Sequence, residues 1–170
     1  VIVFRDAAVT DEQQLEFTRQ FGPLEISLVG TKGEGTYFAR LSNLDGDGKI
    51  IPPDDQLMQF QKANEFWHTD SSFKPVPAKG SILSGRVIPP EGGDTEFASF
   101  RLAYEALPEE TKRRVDGLTC EHDLSHSREM IGAAAITARQ REAYPPVRHA
   151  MVRTNPVNGR KNLYIGAHVR

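Results

Sequence analysis

The sequence predicts one α+β domain built on a β-sandwich or barrel, with helices grouped at one side. Three observations predict it. Short β-prone segments alternate with turn residues along most of the chain, and apolar residues with helical spacing follow in the C-terminal half. The length of 170 residues is enough for one hydrophobic core and too short to suggest a second domain.

The N-terminal half is predicted to open with a strand and a helix. Residues 1–4 form an apolar β-prone run, and Thr10 and Gln13 have the spacing of a capping box. We expect the helix to continue to about Phe21 and to end there, because the following Gly-Pro pair cannot continue it. Further strands are predicted over residues 24–29 and 36–41, and turns over residues 45–48 and 52–55.

The C-terminal half is predicted to contain strands before and after a pair of helices. A strand over residues 81–88 ends at a Pro-Pro pair, and a shorter strand is expected over residues 95–98. One helix opens at Ser99, and a second starts at Pro108 and ends near Gly117. The remaining predicted elements are a strand over residues 118–121, a helical or irregular stretch up to residue 141, and strands over residues 150–154 and 162–165 joined at Asn158-Gly159.

Composition and charge exclude several classes of function. The formal net charge of −2 gives no excess of positive charge to attract nucleic acid or an anionic membrane. No apolar run is long enough to span a bilayer. The single cysteine, Cys120, excludes an internal disulfide and a Cys-rich zinc site, and its apolar neighbours favour a buried thiol over a nucleophile. Nothing resembles a signal peptide, so the cytoplasm is the expected location.

The chemically informative segment runs from Phe66 to Phe73 and contains the sequence Trp-His-Thr-Asp. Alternate side chains of an extended segment project to the same face, so His68 and Asp70 can both reach one metal ion. An imidazole and a carboxylate are two members of a two-His-one-carboxylate site, which leaves three coordination positions open. The H-x-D pattern alone is weak, because such a pair is often only a hydrogen-bonded surface pair.

Further motifs around this segment carry a family resemblance. Trp67-His68-Thr69-Asp70, the strand ending at Pro89-Pro90, and Gly92-Gly93-Asp94-Thr95 together resemble the taurine/2,4-dichlorophenoxyacetate dioxygenase family. The resemblance covers essentially the whole chain, and its other motifs are Ala103 to Pro108, Gly117-Leu118, Glu121-His122 and Val152-Arg153-Thr154. The 2,4-dichlorophenoxyacetate branch looks closer than the taurine branch on the basis of Leu41-Ser42-Asn43, Asp47-Gly48-Lys49 and Ile165-Gly166-Ala167-His168.

This resemblance implies a double-stranded β-helix (jelly roll) core with flanking helices, and an Fe(II)- and 2-oxoglutarate-dependent dioxygenase. His68 and Asp70 would be iron ligands. Thr95 would hydrogen-bond a carboxylate of 2-oxoglutarate, although without the family it would be read as an ordinary β-branched strand residue. The implied reaction uses O₂ and hydroxylates a small carboxylate such as an aryloxyacetate, giving a phenol and glyoxylate together with succinate and CO₂.

Three residues resemble positions that face the organic substrate in this branch: Ser71, Lys49 and His168. Lys49 could offer a cation to the substrate carboxylate, and an exposed turn lysine is an equally good interpretation. Sulfonate or alkylsulfate dioxygenases of the same family and a noncatalytic jelly-roll binding module remain alternatives. A zinc hydrolase is disfavoured, because no H-E-x-x-H motif or general-base Glu accompanies His68. A homo-oligomer is compatible with the sequence.

The family pattern also requires a second metal-binding His and an Arg that pairs with 2-oxoglutarate, and both are expected beyond residue 170. His122 and His126 precede that region and are expected to be surface or helix-associated residues. Both ends of the chain read as cuts through a larger domain. We therefore expect residues 1–170 alone to form a single partial dioxygenase domain, incomplete at the C-terminus, that binds iron weakly and turns over poorly.

Overall fold

Two short antiparallel ribbons organise the C-terminal part of the chain in the computed structural model, which describes residues 1–132 and 135–170. Strand β1 (Thr119–His122) pairs with β2 (Val147–Ala150), and β3 (Val152–Thr154) pairs with β4 (Lys161–Leu163). Met151 lies between β2 and β3 and connects the ribbons, since its N–H donates to the Leu118 carbonyl and its own carbonyl accepts from the Tyr164 N–H. The predicted strands of this region and their Asn-Gly turn are confirmed.

The last residues of the chain run alongside β1 on the side opposite β2. His122 forms an antiparallel bridge with Val169, and the N–H of Asp123 donates to the carbonyl of His168. The N–H of Arg170 donates to the carbonyl of Glu121, and the Arg170 guanidinium forms an ion pair with the carboxylate of Glu121. β1 therefore lies between β2 and the chain end, which holds His168 in a buried position.

Six α-helices and one 3₁₀ turn accompany these ribbons within the described residues, and α3 packs against β4. They are α1 (Asp11–Arg19), α2 (Gln56–Lys62), the 3₁₀ turn (Ala63–Glu65), α3 (Phe100–Glu105), α4 (Glu109–Val115), α5 (Leu124–Glu129) and α6 (Ala138–Ala143). The capping box of Thr10 and Gln13 forms as predicted, Ser99 caps α3, and Pro108 precedes α4. α2 was not predicted; it begins at the Asp55 side chain, which accepts from the Leu57 N–H.

Five predicted strands do not form, namely those over residues 1–4, 24–29, 36–41, 81–88 and 95–98. These segments lack a hydrogen-bonded ladder within the described part of the chain, apart from isolated bonds such as Ser27 N–H to the Thr36 carbonyl. Several of their apolar side chains are exposed, for example Ile2, Leu83 and Val87. β-propensity describes how well a residue fits a paired surface, so without a partner strand it does not produce a strand.

The hydrophobic core is small and lies beside the ribbons. Phe73, Leu124 and Ile136 are buried together, with Leu28 and Tyr144 packed against them. Cys120 is buried in β1 and burial raises the pKa of its thiol, in agreement with the prediction of a structural cysteine. None of the helices in residues 1–132 and 135–170 has the length and apolar character required to cross a membrane.

Candidate metal centre

The side chains of His68 and Asp70 meet as their spacing predicts, where the irregular segment after the 3₁₀ turn enters a further turn at Asp70. The 3₁₀ turn ends at Glu65, and Phe66 has extended backbone angles (φ −72°, ψ 147°). The Nε2 atom of His68 lies 3.2 Å from Oδ1 of Asp70. The His68 side chain is 25% exposed and that of Asp70 is 59% exposed, so the pair opens to solvent and an ion can reach it.

The orientation of the His68 ring is fixed by the backbone. Its Nδ1 lies 2.7 Å from the carbonyl oxygen of Phe66. A carbonyl oxygen can only accept, so Nδ1 carries the proton and the Nε2 lone pair is left for a ligand. A metal-binding histidine is commonly held in this way by a second partner at its other nitrogen.

The carboxylate of Asp70 is also held by a second residue. Its Oδ2 accepts a hydrogen bond of 2.6 Å from the hydroxyl of Ser81, which leaves Oδ1 facing His68. The pKa of Asp70 is lowered, chiefly by the hydrogen bond with His68, and the pKa of His68 is raised, chiefly by the same contact. Burial opposes both shifts. A proton that His68 takes up at Nε2 therefore lies at the position where a cation would bind.

A long-range contact pins the backbone of the His68 segment. The N–H of Ala167 donates to the carbonyl of Trp67 at 2.9 Å. A methyl group added to Gly166 would lie 3.1 Å from the Cα of His68 and 3.2 Å from the Trp67 carbonyl oxygen. Glycine is thus required at position 166 because the two backbones pack directly against each other.

The same contact places His168 beside His68. Their ring centroids are 6.0 Å apart, and the ring of His168 also contacts Phe73 at 5.0 Å. His168 is 3% exposed. Burial, together with the nearby charge of Arg128, lowers its pKa to about 3. The structure therefore brings one of the three predicted substrate residues next to the candidate metal ligands.

The remaining predicted residues lie in different surroundings. Ser71 follows Asp70 directly with a positive φ of 56°, and its hydroxyl donates to the carboxylate of Glu25 at 2.7 Å. Lys49 is exposed in the Asp-Gly turn, where its N–H donates to the Asp45 side chain. Thr95 is exposed in a segment without regular secondary structure. No hydrogen bond or ion pair within the described residues connects Lys49 or Thr95 to His68 or Asp70, and their roles stay predictions.

Within the described residues, a third protein ligand is not found beside the pair. No group of three His, Cys, Asp or Glu side chains in residues 1–132 and 135–170 could hold a metal ion. His122 is 1% exposed in β1, so the expectation of a surface or helix-associated residue was wrong for it. The side chain lies on the same buried face of β1 as Cys120, two residues earlier, and packs against the rings of His149 and Tyr164. His126 is half-buried on α5, in agreement with the expectation.

Comparison with known proteins assigns the family. The sequence model described as "Taurine catabolism dioxygenase TauD, TfdA family" matches residues 1–170. The chain belongs to the TauD/TfdA dioxygenase family. The resemblance that Trp67 to Asp70 and Gly92 to Thr95 predict is therefore confirmed.

Three similar proteins illustrate this membership. The "Alpha-ketoglutarate-dependent 2,4-dichlorophenoxyacetate dioxygenase" of Cupriavidus pinatubonensis is 42% identical over 173 residues, which cover 99% of this chain and 60% of that protein. The "(S)-phenoxypropionate/alpha-ketoglutarate-dioxygenase" of Sphingobium herbicidovorans is 38% identical, with 99% and 58% covered. The crystal structure of AAD-2 in complex with Mn(II) and N-oxalylglycine superposes with a TM-score of 0.86 at 43% identity, covering 98% of this chain and 58% of that one.

This member of the TauD/TfdA family spans about three fifths of the length of the relatives that it matches. Several elements that position its candidate site were not visible in the sequence. His68 and Asp70 are held by contacts that no sequence motif indicates. These contacts come from the Phe66 carbonyl, the Ser81 hydroxyl and the Gly166 backbone. Gly166 belongs to the motif Ile165-Gly166-Ala167-His168, but that motif did not indicate a contact with the backbone of His68.

Proposed function

We propose that this chain supplies two of the three iron ligands of an Fe(II)- and 2-oxoglutarate-dependent dioxygenase. The observation that carries the proposal is the pair of His68 and Asp70, with the Nδ1 of His68 tied to a carbonyl and Nε2 beside a carboxylate oxygen. Imidazole nitrogen and carboxylate oxygen form a donor set suited to Fe(II) in two-His-one-carboxylate sites. The third ligand and the Arg for 2-oxoglutarate would come from outside residues 1–170.

The finer fold also belongs to this proposal. A double-stranded β-helix with flanking helices, of which residues 1–170 form one partial domain, would use β1 to β4 as part of its antiparallel framework. The likeness to AAD-2 at 43% identity supports it. The exposed apolar side chains of residues 1–4 and 81–88 would then lie in strands that pair only when the rest of the domain is present.

The chemistry of the bound groups would be oxidation of a C–H bond by O₂ with conversion of 2-oxoglutarate to succinate and CO₂. The contribution of this chain is to keep the Nε2 lone pair of His68 and Oδ1 of Asp70 aimed at one point, while Phe66 and Ser81 hold their other polar atoms. Thr95 is proposed to hydrogen-bond a carboxylate of 2-oxoglutarate, since its exposed hydroxyl follows two glycines with positive φ.

The proposed substrate is a small carboxylate of the aryloxyacetate type, which would yield a phenol and glyoxylate. The printed names of the two relatives, which concern 2,4-dichlorophenoxyacetate and phenoxypropionate, support this class. Ser71, Lys49 and His168 are the proposed substrate contacts. Of these, His168 has the best structural support because it adjoins His68. A sulfonate or alkylsulfate substrate and a noncatalytic binding role are the alternatives.

An activity assay on the full-length protein tests the proposal. Purified protein with Fe(II) and 2-oxoglutarate should release succinate in the presence of phenoxyacetates, and H68Q and D70N variants should not. If succinate were released with alkylsulfonates or alkylsulfates and not with phenoxyacetates, the proposed substrate class would be wrong and the proposed reaction would stand. Metal binding by His68 and Asp70 without succinate release from any substrate would favour the binding module.

A separate titration concerns residues 1–170 alone. We expect weak iron binding, because only two ligands are present, and no visible charge-transfer band on anaerobic addition of Fe(II) and 2-oxoglutarate. The appearance of that band from this segment would show that a third ligand lies within it.

A further inference from the structure

A second imidazole lies beside His68 and is held by a side-chain hydroxyl. The Nδ1 of His168 lies 2.9 Å from Oγ of Ser127, which is fully buried on α5. The Nε2 of His168 makes no hydrogen bond within the described residues. Unlike both ring nitrogens of His122, it is not closed off from solvent. Nε2 is therefore the nitrogen of His168 that remains for a ligand.

The proton on this imidazole can be assigned by counting donors around Ser127. Its Oγ lies 3.0 Å from the carbonyl oxygen of Leu124 and 3.1 Å from Nη1 of Arg128, in addition to the contact with His168. A hydroxyl donates one hydrogen bond and accepts two, a carbonyl only accepts, and a guanidinium only donates. All three contacts are hydrogen bonds only if Ser127 donates to Leu124 and accepts from both Arg128 and Nδ1 of His168.

Arg128 makes this arrangement rigid. It is 3% exposed, its Nη2 donates to Oδ1 of Asn64 at 2.8 Å, and its guanidinium lies over the ring of Phe60 at 4.3 Å. No carboxylate in residues 1–132 and 135–170 forms an ion pair with it. Because a guanidinium stays protonated, it always presents an N–H to Ser127 and keeps the hydroxyl proton turned toward Leu124.

We propose that Ser127, oriented by Arg128, is a positioning residue that fixes the His168 ring, which lies beside that of His68, with its proton on Nδ1 and a bare Nε2. His168 then accepts a hydrogen bond from an O–H or N–H donor, such as water or a hydroxyl group, and does not donate to a carboxylate. This consequence rests on the proposed function: the carboxylate of a substrate must pair with a cationic group other than His168. His168 would then contact a hydrogen-bond donor of the bound ligands or of water.

Nitrogen NMR of the intact, metal-free protein labelled with ¹⁵N-histidine tests the assignment directly. A bare imidazole nitrogen resonates far downfield of a protonated one, so two-bond proton–nitrogen spectra distinguish the tautomers. H168Q identifies the signals of His168. At pH 7 we expect its Nε2 to be bare and its Nδ1 to be protonated. A protonated Nε2 in the unmodified protein would overturn the proposal without any further variant.

Variants then test the role of the hydroxyl. S127A removes the acceptor of Nδ1 and should redistribute His168 toward the other tautomer. The matched control is S125A, because Ser125 is a second buried serine on the same helix and has no contact with His168 among the described hydrogen bonds. S125A should leave the His168 signals unchanged. If S127A also leaves them unchanged, Ser127 does not position the ring. Unchanged signals of His149 in both variants show that the fold is retained.

The ligand class is tested in the same spectra. Saturation with phenoxyacetate should leave Nε2 of His168 unprotonated, whereas a carboxylate bound at that nitrogen would require a proton there and would move its resonance upfield. That upfield shift would overturn the acceptor role. None of these measurements depends on turnover, so a failure of the succinate assay would contradict the proposed function and leave the tautomer result standing.

Discussion

Replacement of His122 by Phe should make the folded protein less sensitive to acid. The ring of His122 lies 5.2 Å from that of His149 and 5.1 Å from that of Tyr164. Neither of its nitrogens has a hydrogen-bond partner within the described residues, although the Tyr164 backbone lies near enough to favour the protonated form slightly. Burial, reinforced by His149, lowers the pKa of His122 from 6.5 to about 4.

The sign and the size of the effect follow from proton linkage. Below pH 6.5 the unfolded chain takes up a proton at this residue, whereas the folded chain does not do so until about pH 4. The free energy of unfolding therefore decreases as the pH falls through this window, by about 2 kcal/mol between pH 7 and pH 5. His168, with its pKa lowered to about 3, adds a parallel dependence that the His122 variant leaves in place.

The variant should also be more stable at pH 7. Phe has a similar shape and no polar atoms, and an unsatisfied buried polar group costs about 1–3 kcal/mol. Urea denaturation of the intact protein at pH 7 and pH 5, followed by tryptophan fluorescence and circular dichroism, measures both effects. H126Q serves as the control, because it removes a half-buried histidine outside this aromatic cluster. An H122F protein with the same difference in stability between the two pH values as the parent would refute the reasoning.

Four further outcomes are expected. H68Q and D70N should each weaken Mn(II) binding, measured by electron paramagnetic resonance, by more than about 100-fold, and S81A by about 10-fold because it only orients the carboxylate. Mn(II) affinity should decrease as the pH falls through the raised pKa of His68, because the proton and the metal compete for Nε2; a pH-independent affinity would contradict this. G166V should impair metal binding through the clash with the His68 backbone, whereas G159A, in the exposed hairpin turn, should not. T95A should raise the apparent Kd for 2-oxoglutarate without changing Mn(II) affinity in its absence, and an unchanged Kd would remove Thr95 from the site.

Local patterns predicted the parts of the fold that depend on neighbouring residues. The capping box at Thr10, the cap at Ser99 and the Asn-Gly turn each combine a few adjacent residues whose hydrogen bonds do not require the rest of the chain. The same holds for His68 and Asp70, since they are separated by one residue and their side chains meet at 3.2 Å, although Asp70 begins a turn and does not continue an extended segment.

The parts that could not be predicted depend on distant residues. The strands expected over residues 1–4 and 81–88 need partners, and β-propensity does not report whether a partner is present. α2 follows a Pro-Pro-Asp-Asp segment that reads equally well as a loop, and its Asp55 cap was missed. The side chain of His122 is buried against His149 and Tyr164, which lie 27 and 42 residues further along the chain (149 − 122 and 164 − 122), and no local pattern indicates those contacts.

The hydrogen bond between Trp67 and Ala167 closes a loop of 100 residues (167 − 67). Closing a loop of this length costs conformational entropy that only extensive folding repays, so contacts of this kind form late. During synthesis, His68 and Asp70 leave the ribosome long before Gly166 can pack against them. The contact that fixes the backbone of this candidate ligand pair can therefore form only after most of this chain has been made, although the two side chains are brought together locally much earlier.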